Sequence, residues 1–176
     1  MKKKFALTLV SLASVALLAA CGEVSTTGNS GSASGTEIGK TLKIGFNFAE
    51  TGDVASYGTA EQKAAKLAVD EINKAGGVDR KQIEITDKDN KSELSEASTV
   101  STNLVTQAKV NAIIGPATSG GTGAAITNAA KASVPLITPS GTQDDLTKGQ
   151  DYLFRTTFID SFQGKILSKY VTDNLK

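Results

Sequence analysis

The chain has 176 residues, and its 19 Lys and Arg stand against 18 Asp and Glu, for a net charge of +1. That balance makes no broad electrostatic case for nucleic acid or for an acidic surface as partner. Histidine is absent and cysteine occurs once, so the commonest general base and metal ligand are gone and Ser/His or Cys/His catalysis lacks its parts. We therefore expect a protein that is not an enzyme and uses no cofactor and no metal. Without a second cysteine there is no disulfide, and the domain must be held by its core alone.

Lys2, Lys3 and Lys4 precede an apolar run from Phe5 to Leu18 that is softened by Thr8, Ser11 and Ser14. The run is too short and interrupted to span a bilayer, and small residues follow it, so residues 1–20 read as a secretory signal peptide. It ends in Leu18-Ala19-Ala20-Cys21-Gly22, which resembles the lipobox of bacterial lipoproteins. There the cysteine becomes the first mature residue and carries a diacylglyceryl group. The resemblance implies lipidation at Cys21 and anchoring at the outer face of the cell membrane, which two acyl chains make stable. Residues 21–40 are dominated by Ser, Thr and Gly and read as a flexible tether. A chain of that kind spans about 5–6 Å × √n, which holds the domain roughly 20–25 Å from the membrane.

Leu42, Ile44, Phe46 and Phe48 alternate with Lys43, Gly45 and Asn47 and predict a first strand. After a loop to about Gly58, the spacing of Ala60, Ala64, Leu67, Ala68, Ile72 and Ala75 predicts a helix stopping at Gly76-Gly77. Glu61, Lys63, Lys66, Asp70 and Lys74 read as its solvated face. Ile83 to Thr86 predicts a second strand, Asp87 to Lys91 a polar loop, and Ser92 the N-cap of a helix marked by Leu94, Ala97, Val100 and Leu104. Val110 to Gly115 predicts a third strand. A Gly/Thr/Ser loop to Gly123 then opens a helix over Ala124 to Ala132. Val134 to Thr138 predicts a fourth strand and Pro139 to Gln143 a loop, with a short helix starting near Asp144. Leu153 to Thr157 predicts a fifth strand, and Gln163 to Asn174 a last helix. Strands alternating with such helices imply an α/β fold: a parallel sheet with helices on both faces, its ligands outside the carboxyl ends of the strands.

Two loops at those ends share a character. Thr118-Ser119-Gly120-Gly121-Thr122 and Thr138-Pro139-Ser140-Gly141-Thr142 combine hydroxyls with glycines ahead of expected helices, and neither contains Lys or Arg. Helix N-termini present free N–H donors and suit an anion; without a cation, a single carboxylate fits better than a polyphosphate. The same residues read equally well as plain N-caps. Tyr57 offers a ring and a hydroxyl to a ligand, or is a packed surface residue. Asp87, Asp89 and Asn90 do not complete a calcium loop, and Ser119 lacks the nucleophile elbow of a hydrolase.

The stretches Thr51-Gly52-Asp53-Val54-Ala55-Ser56-Tyr57-Gly58, Glu71-Ile72-Asn73 with Gly76-Gly77-Val78, Ile114-Gly115-Pro116, Pro135-Leu136-Ile137-Thr138-Pro139-Ser140 and Phe154-Arg155-Thr156 resemble the branched-chain amino acid-binding proteins of the type 1 periplasmic binding fold. That resemblance implies a Rossmann-like N-terminal lobe over residues 41–157 and a crossover toward a second lobe over 158–176, the second lobe being largely missing. It implies capture of leucine, isoleucine, valine or a related amino acid for the permease subunits of an ABC importer. In the family pattern Ser119 and Thr142 donate hydroxyls to the ligand carboxylate, and backbone groups at Ser140 face its amino and carboxylate ends. Ala117 lies against the side chain, Tyr57 lines the pocket, and Arg155 braces the lobe junction. It also implies that this polypeptide alone binds weakly or undetectably. A sensor of the same fold and a truncated, non-functional remnant are the alternatives; the lipobox favours the importer over a cytoplasmic sensor.

Overall fold

The computed structural model describes residues 37–175; the expected signal peptide, Cys21 and the tether up to residue 36 lie outside the described residues. Five parallel strands, β1 (Leu42–Phe48), β2 (Ile83–Asp89), β3 (Ala112–Ile114), β4 (Leu136–Thr138) and β5 (Leu153–Arg155), lie in the order β2-β1-β3-β4-β5. Between them run α1 (Ala55–Lys74), α2 (Leu94–Asn103, continued by a π-helical turn over Leu104–Ala108) and α3 (Ser119–Lys131); α4 (Asp160–Asn174) follows β5. This is the α/β parallel architecture expected from the sequence. The order reverses between β1 and β3, so their carboxyl ends flank the crevice where such sheets take ligands.

β1 shows why the sheet is covered on both sides. Phe46 and Phe48 are fully buried and meet Val69 of α1 and Ile83 of β2. Asn47 points to the opposite face, where its Nδ2 donates to Ala97 O of α2 at 2.9 Å. A strand buried on both faces has no solvent side, as parallel sheets require. The α2 and α3 face carries the larger core, built on Val100, Leu104, Ile113, Ala125, Ile126 and Leu136.

The helix after β1 is turned the other way from the expectation. Its buried residues are Gly58, Gln62 and Val69, while Ala60, Ala64, Leu67 and Ala68 are exposed. Beside Ile83 and Ile85, the edge strand β2 offers this helix backbone and acidic groups. Asn73 Nδ2 donates to Ile83 O at 2.9 Å and Asn73 Oδ1 accepts from Ile83 N at 2.7 Å. Gln62 Nε2 donates to Asp87 Oδ2 at 2.8 Å, and Lys66 pairs with the same oxygen at 2.6 Å. Lys66 and Glu61 are therefore not merely solvated. The helix does stop at the glycine pair: Gly77 N donates to Ile72 O at 2.9 Å and Gly76 N to Asn73 O at 3.1 Å, with φ values of 107° and 84° at Gly76 and Gly77. That is a Schellman motif, whose positive φ a side chain would oppose.

Other boundaries move. β2 runs on to Asp89, so most of the expected polar loop is strand. Ser92 is not an N-cap: its Oγ donates to Thr51 O at 2.8 Å and accepts from Val54 N at 3.1 Å, tying the β2 loop to the β1 loop. α3 begins at Ser119 rather than Ala124. The short helix expected near Asp144 is a run of turns, with Leu146 N donating to Gln143 O and Lys148 N to Asp145 O. Asp144 instead accepts from Ser161 N at 3.0 Å, at the start of α4.

Candidate functional site

Tyr57 follows the carboxyl end of β1, Ala117 and Ser119 that of β3, and Ser140 and Thr142 that of β4. The loop after β3 begins with a cis Gly115-Pro116 bond. Pro116 O accepts from Thr138 Oγ1 at 2.8 Å and from Thr122 Oγ1 at 3.1 Å, which locks the β3 and β4 loops together through buried groups. Thr118 is the N-cap of α3, its Oγ1 accepting from Gly121 N at 3.2 Å. The helix therefore starts with the N–H groups of Ser119 and Gly120 free of intrahelical acceptors.

Ser119 Oγ accepts from Gln143 N at 3.1 Å. A hydroxyl used as an acceptor keeps its own O–H to donate elsewhere. The turn after β4 is pinned on nearly every group. Gly141 N donates to Thr138 Oγ1 at 3.1 Å. Arg155 Nη1 donates to Gln143 O at 2.7 Å and Gly141 O at 3.3 Å. Thr156 Oγ1 donates to Pro139 O at 3.3 Å, and Asp160 N to Thr142 O at 3.0 Å. Of the carbonyls from Pro139 to Gln143, only that of Ser140 accepts no hydrogen bond among the described residues. The N–H and hydroxyl of Thr142 and the N–H of Ser140 are likewise unengaged there.

The arrangement thus brings four expected residues to one rim with donors and one acceptor to spare. Ala117 is 3% exposed and forms apolar floor. Tyr57 stands on the first turn of α1, not in a loop, and is 62% exposed; among the described residues no side-chain hydrogen bond ties it to the other four. Only one of the two hydroxyl-rich turns opens a helix, so the dipole argument holds for Ser119 and not for Thr142. Arg155 braces the β4 turn through the carbonyls of Gly141 and Gln143. A small hollow lies beside the rim, lined by Ala49, Val54, Asn90, Ala97, Pro116 and Ala117 among others. Among its polar members, Asn90 is engaged by Asn47 and Ser92.

Beside the rim, Asp89 organises the β1 loop. Burial pushes its carboxyl up, but hydrogen bonds from Thr51 Oγ1 and the amides of Lys91, Glu50 and Thr51 outweigh it and hold it below the usual range. Glu50 is raised, by burial first and then by the charge of Asp87. Sequence reasoning missed Glu61: Ser140 Oγ donates to its Oε1, and burial pushes its carboxyl up despite that bond.

Residues 41–176 match the model of the family described as periplasmic binding protein. The leucine-, isoleucine-, valine-, threonine- and alanine-binding protein of Pseudomonas aeruginosa is 33% identical over 147 residues, covering 83% of this chain and 39% of that protein. The branched-chain amino acid transporter substrate binding protein of Streptococcus pneumoniae str. Canada MDR_19A, solved in complex with isoleucine, is 71% identical with a TM-score of 0.75, covering 77% of this chain and 39% of that one. A solute binding protein of an ABC transporter from Rhodopseudomonas palustris BisB5, in complex with 3,4-dihydroxy benzoic acid, is 29% identical with a TM-score of 0.71, over 77% and 37% of the two chains. The chain thus spans well under half the length of the relatives it matches.

Proposed function

The chain belongs to the periplasmic binding protein family, and on that premise we propose that it captures a branched-chain amino acid outside the cytoplasm for an ABC importer. The carrying observation is the rim of unengaged groups: N–H donors at Ser119 and Gly120, hydroxyls of Ser119 and Thr142, and the one free carbonyl, at Ser140. A carboxylate set against the α3 N-terminus gains charge-assisted hydrogen bonds and the favourable end of the helix dipole. The Ser140 carbonyl is an acceptor for the ligand ammonium. Ala117 leaves room for an aliphatic side chain, and Tyr57 covers it. No cationic side chain is needed, since Arg155 is engaged with carbonyls of the turn. The relatives' ligands, isoleucine and 3,4-dihydroxy benzoic acid, share a carboxylate, which supports placing recognition in that group. Export and anchoring through Cys21 complete the reading and rest on the lipobox.

Titrating leucine, isoleucine and valine by calorimetry into a version extended to the full length of its relatives tests this, with Ser119→Ala and Thr142→Ala alongside. Each variant loses one hydrogen bond to a charged group and is expected to weaken binding by about 1.5–3 kcal/mol. Unchanged affinity in both removes the assignment.

A further inference from the structure

Glu61 is half-buried on α1, and its carboxyl reaches across 79 residues of sequence to accept the Ser140 hydroxyl. Its second oxygen, Oε2, is buried and has no partner among the described residues. An acidic group held this way is unfavourable, and burial accordingly raises its pKa. The packing of α1 does not call for it, since Gly58, Gln62 and Val69 form the buried face. Departures from local rules that bring no packing gain mark functional positions.

What Glu61 does hold is the side chain of the one residue in the β4 turn whose carbonyl and N–H are both free. Gly141 is fixed by Thr138 and Arg155, and Gln143 by Ser119 and Arg155. Ser140 has only Glu61. We infer that Glu61 is a positioning residue of the ligand site, which anchors the Ser140 side chain away from the rim and so aims the Ser140 peptide groups at the ligand. This rests on the ligand reading above.

The test is amide hydrogen exchange by NMR on the 176-residue chain, comparing the parent with Glu61→Ala, Glu61→Gln, Ser140→Ala and the double variant Glu61→Ala/Ser140→Ala, with the response to L-isoleucine read in a version extended to the full length of the relatives. Glu61→Ala is expected to speed exchange at the bonded amides of Gly141 and Gln143 by about tenfold while β1 and β3 keep parental rates. Glu61→Gln keeps a carbonyl acceptor and should restore most of that protection. Ser140→Ala should reproduce Glu61→Ala, and the double variant should add nothing. Isoleucine-induced shifts at Ser119 to Thr142 should need several-fold more ligand in Glu61→Ala. Three results overturn the role of Glu61: unchanged turn exchange with an intact isoleucine response, uniform acceleration through β1 and β3, or no rescue by Glu61→Gln. A version extended to the full length of the relatives that does not respond to isoleucine sinks the ligand reading itself, and the positioning role with it.

Discussion

The Ser119 hydroxyl accepts one bond, from Gln143 N, and retains its hydrogen to give. That is why a residue that also looks like helix punctuation can serve a ligand, and why sequence left the capping and binding readings balanced. The structure separates them by assigning the cap to Thr118. Ser119, Ser140 and Thr142 stand out in the sequence because hydroxyls and glycines gather there at strand ends, although helix caps use the same residues. Glu61 does not stand out, because a glutamate among lysines on a helix carries no mark of the face it will occupy. Asp89 is the residue whose charge the β1 loop depends on most. Its folded pKa is depressed, so its contribution is present above the ordinary Asp value and is lost as pH falls through the lowered folded value. Asp89→Asn is expected to cost about 1 kcal/mol at neutral pH, a few degrees in Tm. It should also flatten the acid side of the Tm–pH profile. Thermal melts of both proteins from neutral pH into the acid range check this; parallel acid limbs would contradict it.

Elements were legible wherever a period or a breaker dominated: all five strands, the glycine stop of α1 and the existence of four long helices. Faces and starts were harder. Alanine is a weak hydrophobe, so the Ala60, Ala64 and Ala68 stripe resembled a core face while α1 turned Gln62 and Asn73 to the edge strand. The turn at Asp144 failed as a helix because the Asp144 carboxylate is committed to Ser161 and Gly149 follows at φ 70°. Gly58 is where α1 depends most on one residue. A Cβ there would lie 2.1 Å from Ala49 O and 2.6 Å from Ala49 N, both backbone atoms that cannot yield cheaply. Gly58→Ala is therefore expected to destabilise by about 2–3 kcal/mol, although alanine is the better helix former by about 1 kcal/mol. Gly164→Ala in α4, with nothing within 4 Å of its Cβ, is the matched control and should be neutral or stabilising. Urea unfolding of the pair decides it; equal midpoints would contradict the close packing of α1 on β1.

At the scale of the molecule, topology places the loops. Parallel strands in the order β2-β1-β3-β4-β5 bring the β3 and β4 turns side by side, and Pro116 O joins them. That much followed from alternating strands and helices; the bonds pinning the turns did not, since they link residues far apart in sequence. α4 has no buried residue, and Phe158, Phe162 and Ile166 are half exposed. Nothing in the sequence period distinguished its apolar stripe from a packed one. The anchoring reading also belongs to this scale. In a host that lipidates proteins, the chain is expected to take up a labelled fatty acid and partition with membranes, and Cys21→Ser should abolish both. Membrane association of unlabelled Cys21→Ser at parental levels would contradict a lipid anchor.

The carboxylate claim is tested most directly by mapping amide shifts, on a version extended to the full length of the relatives, during titration with isoleucine and, separately, with its decarboxylated amine. The account predicts that isoleucine moves the amides of Ser119, Gly120 and Thr142 together and that the amine leaves them in place. Equal responses to both compounds, or shifts centred away from the β3 and β4 turns, would contradict it.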